Sequence, residues 1–189
     1  DTKFKELKKS YAGGSELSGK TLGIIGFGRI GQEVAKIAVG VGMKVIFYDK
    51  FNEQANIKLD FFDGQNLSFK LKSSTFDELL NNSDFITVHI PASNEYIIDS
   101  DQIAKMKNGV GLLNLSRGGI INEEELIKNI ESGKISFAGI DTFEGEPNPS
   151  MKILMNSNIS LTPHIGAATG EAQDRIGVEL ADKINDILG

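Results

Sequence analysis

The chain has 189 residues, 40% hydrophobic and 24% charged, with a formal net charge of −6, which suits one folded core and excludes a disordered or fibrous class. The acidic balance, without any basic block, speaks against nucleic acid as a partner, and the absence of cysteine excludes disulfides and thiolate metal sites. The two histidines, His89 and His164, are too far apart in sequence to suggest a metal site; no apolar run reaches the roughly 18 residues of a membrane helix and no leader peptide is visible, so a cytoplasmic protein with neither metal nor membrane attachment is expected.

Residues 1–19 are polar and lysine-rich; Phe4 and Leu7 suit either one face of a short helix or a flexible lead-in. Residues 20–189 read as one domain. An apolar strand, Thr21 to Ile25, runs into Gly26-Phe27-Gly28-Arg29-Ile30-Gly31, and an amphipathic helix, Ile30 to Val39, follows. A second strand, Met43 to Tyr48, ends at Asp49. Asn52 to Gln65 is a polar excursion. Leu67, Phe69 and Leu71 then alternate with Ser68, Lys70 and Lys72 as a half-exposed strand should.

Thr75 and Glu78 form a capping box for a helix over Phe76 to Asn81. Phe85 to Val88 is a buried strand leading to His89-Ile90-Pro91. A short helix spans Asp99 to Met106, and a strand spans Val110 to Leu115. Asn122 caps a helix that Gly133 stops. Strands at Ile135 to Ile140 and Asn158 to Leu161 precede a final helix, Thr169 to Leu188. Strands alternating with helices predict a Rossmann-type, doubly wound parallel sheet of about seven strands in a three-layer αβα arrangement.

The glycines of G-x-G-x-x-G have separate mechanical tasks. Gly26 allows the tight turn out of the strand, Gly28 leaves room for a pyrophosphate at the backbone, and Gly31 lets helix and strand approach. The helix start offers free N–H groups and a positive dipole end. Asp49, about 20 residues further on, is placed to accept hydrogen bonds from an adenosine ribose. Its charge opposes a 2′-phosphate, so NAD is expected over NADP; Lys50 weakens that preference without reversing it.

Ligands of such sheets lie beyond the carboxyl ends of the strands, and Asp49, His89, Arg117, Asp141 and His164 each follow a strand there, with Glu146 in the next loop. Arg, Glu and His together suit hydride transfer at a 2-hydroxy acid. An imidazole takes the hydroxyl proton, a carboxylate orients it, and a guanidinium clamps the substrate carboxylate. His89 is the rival base, although with Ile90 and Pro91 it better suits the cofactor cleft.

These segments, with Asn114-Leu115-Ser116-Arg117-Gly118-Gly119, Asp141-Thr142-Phe143-Glu144-Gly145-Glu146-Pro147 and Thr162-Pro163-His164-Ile165-Gly166-Ala167, resemble the nucleotide-binding domain of the D-isomer-specific 2-hydroxyacid dehydrogenases. Thr142 stands where valine is commoner. The resemblance implies Arg117, Glu146 and His164 as catalytic residues. It implies cofactor contacts from Gly26, Gly28, Arg29, Ile30, Gly31, Asp49, Ile90, Pro91, Leu115, Ser116, Arg117, Asp141, His164, Ile165, Gly166 and Ala167. It also implies a homodimer and, within the family, the phosphoglycerate dehydrogenase branch, which supplies serine synthesis. The family's second, substrate-binding domain has no counterpart in these residues, so the isolated domain is expected to be inactive. The rival readings are an NAD-sensing protein of the corepressor type, which can retain the same three side chains, and an NAD-binding domain of the adenosylhomocysteinase type, which explains only the glycine loop.

Overall fold

The computed structural model describes residues 2–10 and 12–188. In chain order, α1 (Thr2–Ser10) precedes β1 (Thr21–Ile25), α2 (Arg29–Gly40), β2 (Lys44–Tyr48), β3 (Gln54–Asp60), β4 (Asn66–Lys72), α3 (Phe76–Asn82) and β5 (Phe85–Val88). There follow α4 (Ser100–Lys105), β6 (Val110–Asn114), α5 (Glu123–Glu131), β7 (Ile135–Ile140), α6 (Met151–Leu154), β8 (Ile159–Leu161) and α7 (Gly170–Leu188).

Among the described residues, six strands form a parallel sheet in the order β2-β1-β5-β6-β7-β8. The chain winds outward from β1 to β2 and then crosses to β5 on the other side of β1. That reversal opens a crevice at the carboxyl ends of β1 and β5. Side chains alternate across β1. Leu22 and Ile24 join a cluster with Ala35 and Ala38 of α2, while Ile25 faces the larger cluster that includes Leu79 and Leu80 of α3 and Leu126 and Ile130 of α5. Each leucine or isoleucine side chain sealed in this way stabilises the fold by about 1.5–3 kcal/mol.

The sheet differs from the sequence expectation at its outer edge. Leu67 to Leu71 is not a member of the parallel sheet. It lies in β4, which pairs antiparallel with β3 as a separate hairpin, Ile57 opposite Phe69. The polar excursion thus contains a strand. Its alternation of Ala55, Ile57 and Leu59 with Asn56, Lys58 and Asp60 buries only Ile57 fully, against α2 and β2, so apolar content understates a strand with one packed face. The four-residue helix α6 is likewise additional.

The helix starts follow local chemistry. Thr75 and Glu78 form their capping box, Asp99 and Gln102 form a second one, and Asn122 and Ser150 accept from the first turns of α5 and α6. At the periphery α1 is a helix, and neither it nor α7 buries a residue among those described. The apolar stripe Ile176, Leu180, Ile184 and Ile187 of α7 is exposed. No helix is long and apolar enough to cross a membrane among the described residues.

Candidate active site

At the end of β1 the glycine loop is held from below and behind. Phe27, fully buried, stacks on Phe47 of β2 with ring centroids 3.8 Å apart. Gly26 takes a φ of 89°, in the left-handed region that favours glycine. A Cβ there would lie 2.4 Å from the His89 carbonyl oxygen, and one on Gly31 would lie 2.3 Å from that of Gly26. At Gly28 a Cβ would meet nothing within 4 Å. Gly26 and Gly31 are therefore required by the protein's own packing, whereas Gly28 borders open space above the backbone.

Helix α2 follows its N-cap Gly28 without the side-chain cap that α3 to α6 each have, and with no acidic residue in its first turn. Its first N–H groups and its dipole remain available to an anion. Asp49 stands beside them. Its Oδ2 accepts the Phe27 N–H at 2.6 Å, and its Oδ1 accepts from the Phe51 and Asn52 backbone N–H groups and the Asn52 amide. Partial burial opposes ionisation of Asp49, but these donors outweigh it and hold the carboxyl below the usual carboxylate range. Asp49 thus braces the glycine loop, and Oδ2, with a single protein donor, retains capacity for a sugar hydroxyl. A bare phosphate cradle, an uncapped helix and an adjacent carboxylate fit a dinucleotide. Arg29 pairs at 2.7 Å with Glu179 of α7, whose carboxyl is lowered to about 2 chiefly by that hydrogen bond.

Across the crevice, three loops converge after β6, β7 and β8. Asp141, 2% exposed, anchors the last of them. It accepts the Thr162 hydroxyl and the N–H groups of Ile165 and Gly166, the latter two at 2.9 Å. Burial opposes its charge, and those three donors hold its carboxyl below the usual range. Pinned between these anchors, His164 adopts a φ of 53°, uncommon for a residue with a side chain. Its Nδ1 lies 2.9 Å from Glu146 Oε2, while Glu146 Oε1 accepts the Phe143 N–H at 2.9 Å. The imidazole contact, helped by that N–H, lowers the Glu146 carboxyl. The pair borders a cavity of about 480 Å³ lined also by Phe143, Pro147, Leu161 and Pro163.

Arg117 is exposed in the loop after β6, with its Nη1 donating to the Ser116 carbonyl at 2.6 Å. Asn114, buried at the strand end, shapes that loop by accepting from the Ser116 N–H and hydroxyl and donating to the Arg117 carbonyl. A Cβ on Gly118 would fall 1.9 Å from the Phe143 carbonyl oxygen, so the Arg117 loop presses on the turn carrying Glu146.

Ser116 is buried, Ile90 is half-buried, and Ile30, Pro91, Leu115, Ile165, Gly166 and Ala167 present exposed surface. His89 is half-buried, with Nε2 2.9 Å from the Thr87 hydroxyl, and burial pulls its pKa down. It has no carboxylate partner among the described hydrogen bonds. Sequence reasoning did not assign the anchoring roles of Asn114, Thr162 and Asp141. Their signal is a polar residue at the end of an otherwise apolar strand, which burial obliges to find partners.

Residues 1–166 match the family model described as D-isomer specific 2-hydroxyacid dehydrogenase, NAD binding domain. The chain is 46% identical over 187 residues to a hydroxypyruvate reductase of Thermotoga maritima, covering 96% of this chain and 57% of that protein. It is 39% identical over 184 residues to a D-3-phosphoglycerate dehydrogenase of Bacillus subtilis, covering 96% of this chain and 33% of the relative. It superposes on a glyoxylate reductase from Paecilomyes thermophila with a TM-score of 0.75 at 34% identity, over 93% of this chain and 52% of that one. The chain thus spans about a third to three-fifths of the length of these relatives.

Proposed function

The chain belongs to the D-isomer specific 2-hydroxyacid dehydrogenases, as their NAD-binding domain, and from that premise we propose that it serves the transfer of a hydride between NAD and C2 of a three-carbon D-2-hydroxy acid. The observation that carries this reading is the Glu146–His164 contact at 2.9 Å, set against the Arg117 loop at the carboxyl edge of the sheet.

NAD, when bound, supplies the hydride acceptor. The uncapped start of α2 and the space at Gly28 would hold its pyrophosphate, and Asp49 a ribose hydroxyl. Nε2 of His164 is the imidazole nitrogen not engaged by Glu146 and takes the substrate hydroxyl proton. Glu146 holds the ring with Nδ1–H inward and steadies the positive charge that proton transfer creates. Arg117 clamps the substrate carboxylate and polarises the oxygen at C2. The exposure of these groups, 46% for the His164 side chain, leaves one wall of the cleft to another domain. Turnover by this chain alone should therefore be slight.

Identity to the hydroxypyruvate reductase supports D-glycerate as substrate, and identity to the phosphoglycerate dehydrogenases supports its 3-phosphate. The test follows NADH absorbance with both acids, on this chain and on a protein joining it to a substrate domain. Turnover of either acid by the joined protein is expected, and the faster one names the substrate. NAD binding without turnover of any 2-hydroxy acid overturns the dehydrogenase reading in favour of NAD sensing. Calorimetry should show NAD bound more tightly than NADP, with Asp49→Ala weakening NAD about tenfold and narrowing the gap; equal affinity for both cofactors removes the role given to Asp49. A homodimer and a cytoplasmic setting complete the proposal, and light scattering that reports a monomer at high concentration removes the dimer.

A further inference from the structure

We infer that Glu123 is a positioning residue for the Glu146–His164 pair, acting through a two-way hydrogen-bonded latch with Glu144 and touching neither substrate nor cofactor. The inference rests on the dehydrogenase reading only for its consequence in turnover. The latch itself is a matter of geometry.

Glu123 opens α5 and is 7% exposed. It and Asp141 are the carboxylates buried among the described residues, and Asp141 is accounted for by the loop it anchors. A carboxylate withdrawn from water destabilises the fold unless hydrogen bonds replace its hydration. Burial raises the Glu123 carboxyl, so the side chain sits there against its own solvation. Helix capping does not explain it, because Asn122 already accepts from the Glu124 and Glu125 N–H groups.

Glu123 Oε1 accepts the Glu144 N–H at 2.7 Å, and Glu144 Oε1 accepts the Glu123 N–H at 3.3 Å. The second oxygen of Glu144 accepts the Tyr96 hydroxyl at 3.3 Å. The turn so held carries Glu146, whose Oε1 takes the Phe143 N–H, and the Phe143 carbonyl abuts Gly118 beside Arg117. Glu123 therefore fixes one flank of the turn and the Arg117 loop fixes the other. Without Glu123 the Glu144 N–H loses its acceptor, and the Glu146 carboxylate is free to leave His164 Nδ1.

The chain contains two histidines, so ¹⁵N NMR of the imidazoles reads the latch directly. A carboxylate at Nδ1 keeps the neutral ring in its Nδ1–H form, whereas a ring without that partner relaxes toward Nε2–H. In Glu123→Ala the His164 signal should lose its Nδ1–H character, as in Glu146→Ala, while His89 stays as in the wild type. Glu123→Gln keeps an acceptor for the Glu144 N–H and should restore the wild-type signal. A folded Glu123→Ala with His164 unchanged overturns the inference, and so does Glu123→Gln behaving like Glu123→Ala. If Glu123→Ala does not fold, Glu123→Asp, one methylene short of Glu144, takes its place: a shifted His164 tautomer supports the latch and an unshifted one overturns it. In a joined two-domain protein Glu123→Ala should lower kcat by roughly 10–100-fold and leave the KM for NAD unchanged. The NMR readout needs no turnover, so an inactive wild type counts against the dehydrogenase reading and not against the latch.

Discussion

His89 and His164 both follow parallel strands and stand at the same edge of the sheet, but the ends of β5 and β8 are built differently. The first histidine is half-buried, shares a hydrogen bond with Thr87 and is pushed toward its neutral form by burial. The second is held in a left-handed backbone conformation by Asp141, and its Nδ1 faces the carboxylate of Glu146. On the proposed reading, a place at the ligand edge does not by itself make a base; the carboxylate on the far nitrogen, with the loop that keeps it there, distinguishes His164 from His89.

The strongest way to break this contrast is to exchange the losses. His164→Asn should cost about 10²–10⁴-fold in turnover by a two-domain protein. His89→Asn should cost less than about tenfold, because Nδ1 and Nε2 there lack a carboxylate to stabilise a captured proton. NADH absorbance measures both, and equal losses erase the distinction.

A second test acts on the anchor. Asp141→Ala leaves the Thr162 hydroxyl and the Ile165 and Gly166 N–H groups without their acceptor, and should destabilise the fold by about 3 kcal/mol in urea titration. The sign of the pH effect follows from the lowered carboxyls of Asp141 and Asp49. Their contribution is fully present above the ordinary carboxylate range, near pH 4, and is lost as pH falls through the lowered values. Asp141→Asn should flatten that acid-side loss, and an unchanged slope excludes the anchor as its source.

The glycine loop offers a smaller and sharper contrast. Gly31→Ala drives a methyl toward the Gly26 carbonyl and should cost about 1–3 kcal/mol of stability. Gly28→Ala meets open space and should leave stability within about 0.5 kcal/mol while weakening NAD in calorimetry. The smallest effect concerns Thr142, whose buried Oγ1 has no hydrogen-bond partner. Thr142→Val keeps the shape and removes the orphaned hydroxyl, and should raise stability by about 1 kcal/mol.

The parallel core was legible because its signals are local. Thr75 with Glu78, Asn122 before an amphipathic run, and the apolar strand that runs into Gly26 each carry their own physics within a few residues. The hairpin was half-read for the converse reason: Leu67 to Leu71 alternates visibly, but which strand it joins depends on Ile57 finding α2 and β2 across the chain. At the site, Arg117 and His164 could be singled out as polar residues where strands end, and Glu146 in the loop after Asp141. Asp141, at the end of an apolar strand, was marked as needing buried partners, but nothing local showed that those partners lie in a loop about twenty residues away.

Apart from β3 and α6, the order of elements, the glycine loop and the set of charged residues at strand ends were thus legible in the sequence alone, because each depends on periodicity, backbone conformation or side-chain type within a short window. The pairing of Glu146 with His164 was expected from the family resemblance; only the tertiary structure showed its geometry and the buried carboxylates that support it. Glu146 meets His164, Asp141 fixes the loop beneath it, and Glu123 reaches Glu144, through contacts between residues far apart in the chain. The contacts of Asp141 and Glu123 are selected by the need of buried carboxylates for hydrogen-bond donors, a requirement that only the packed fold imposes.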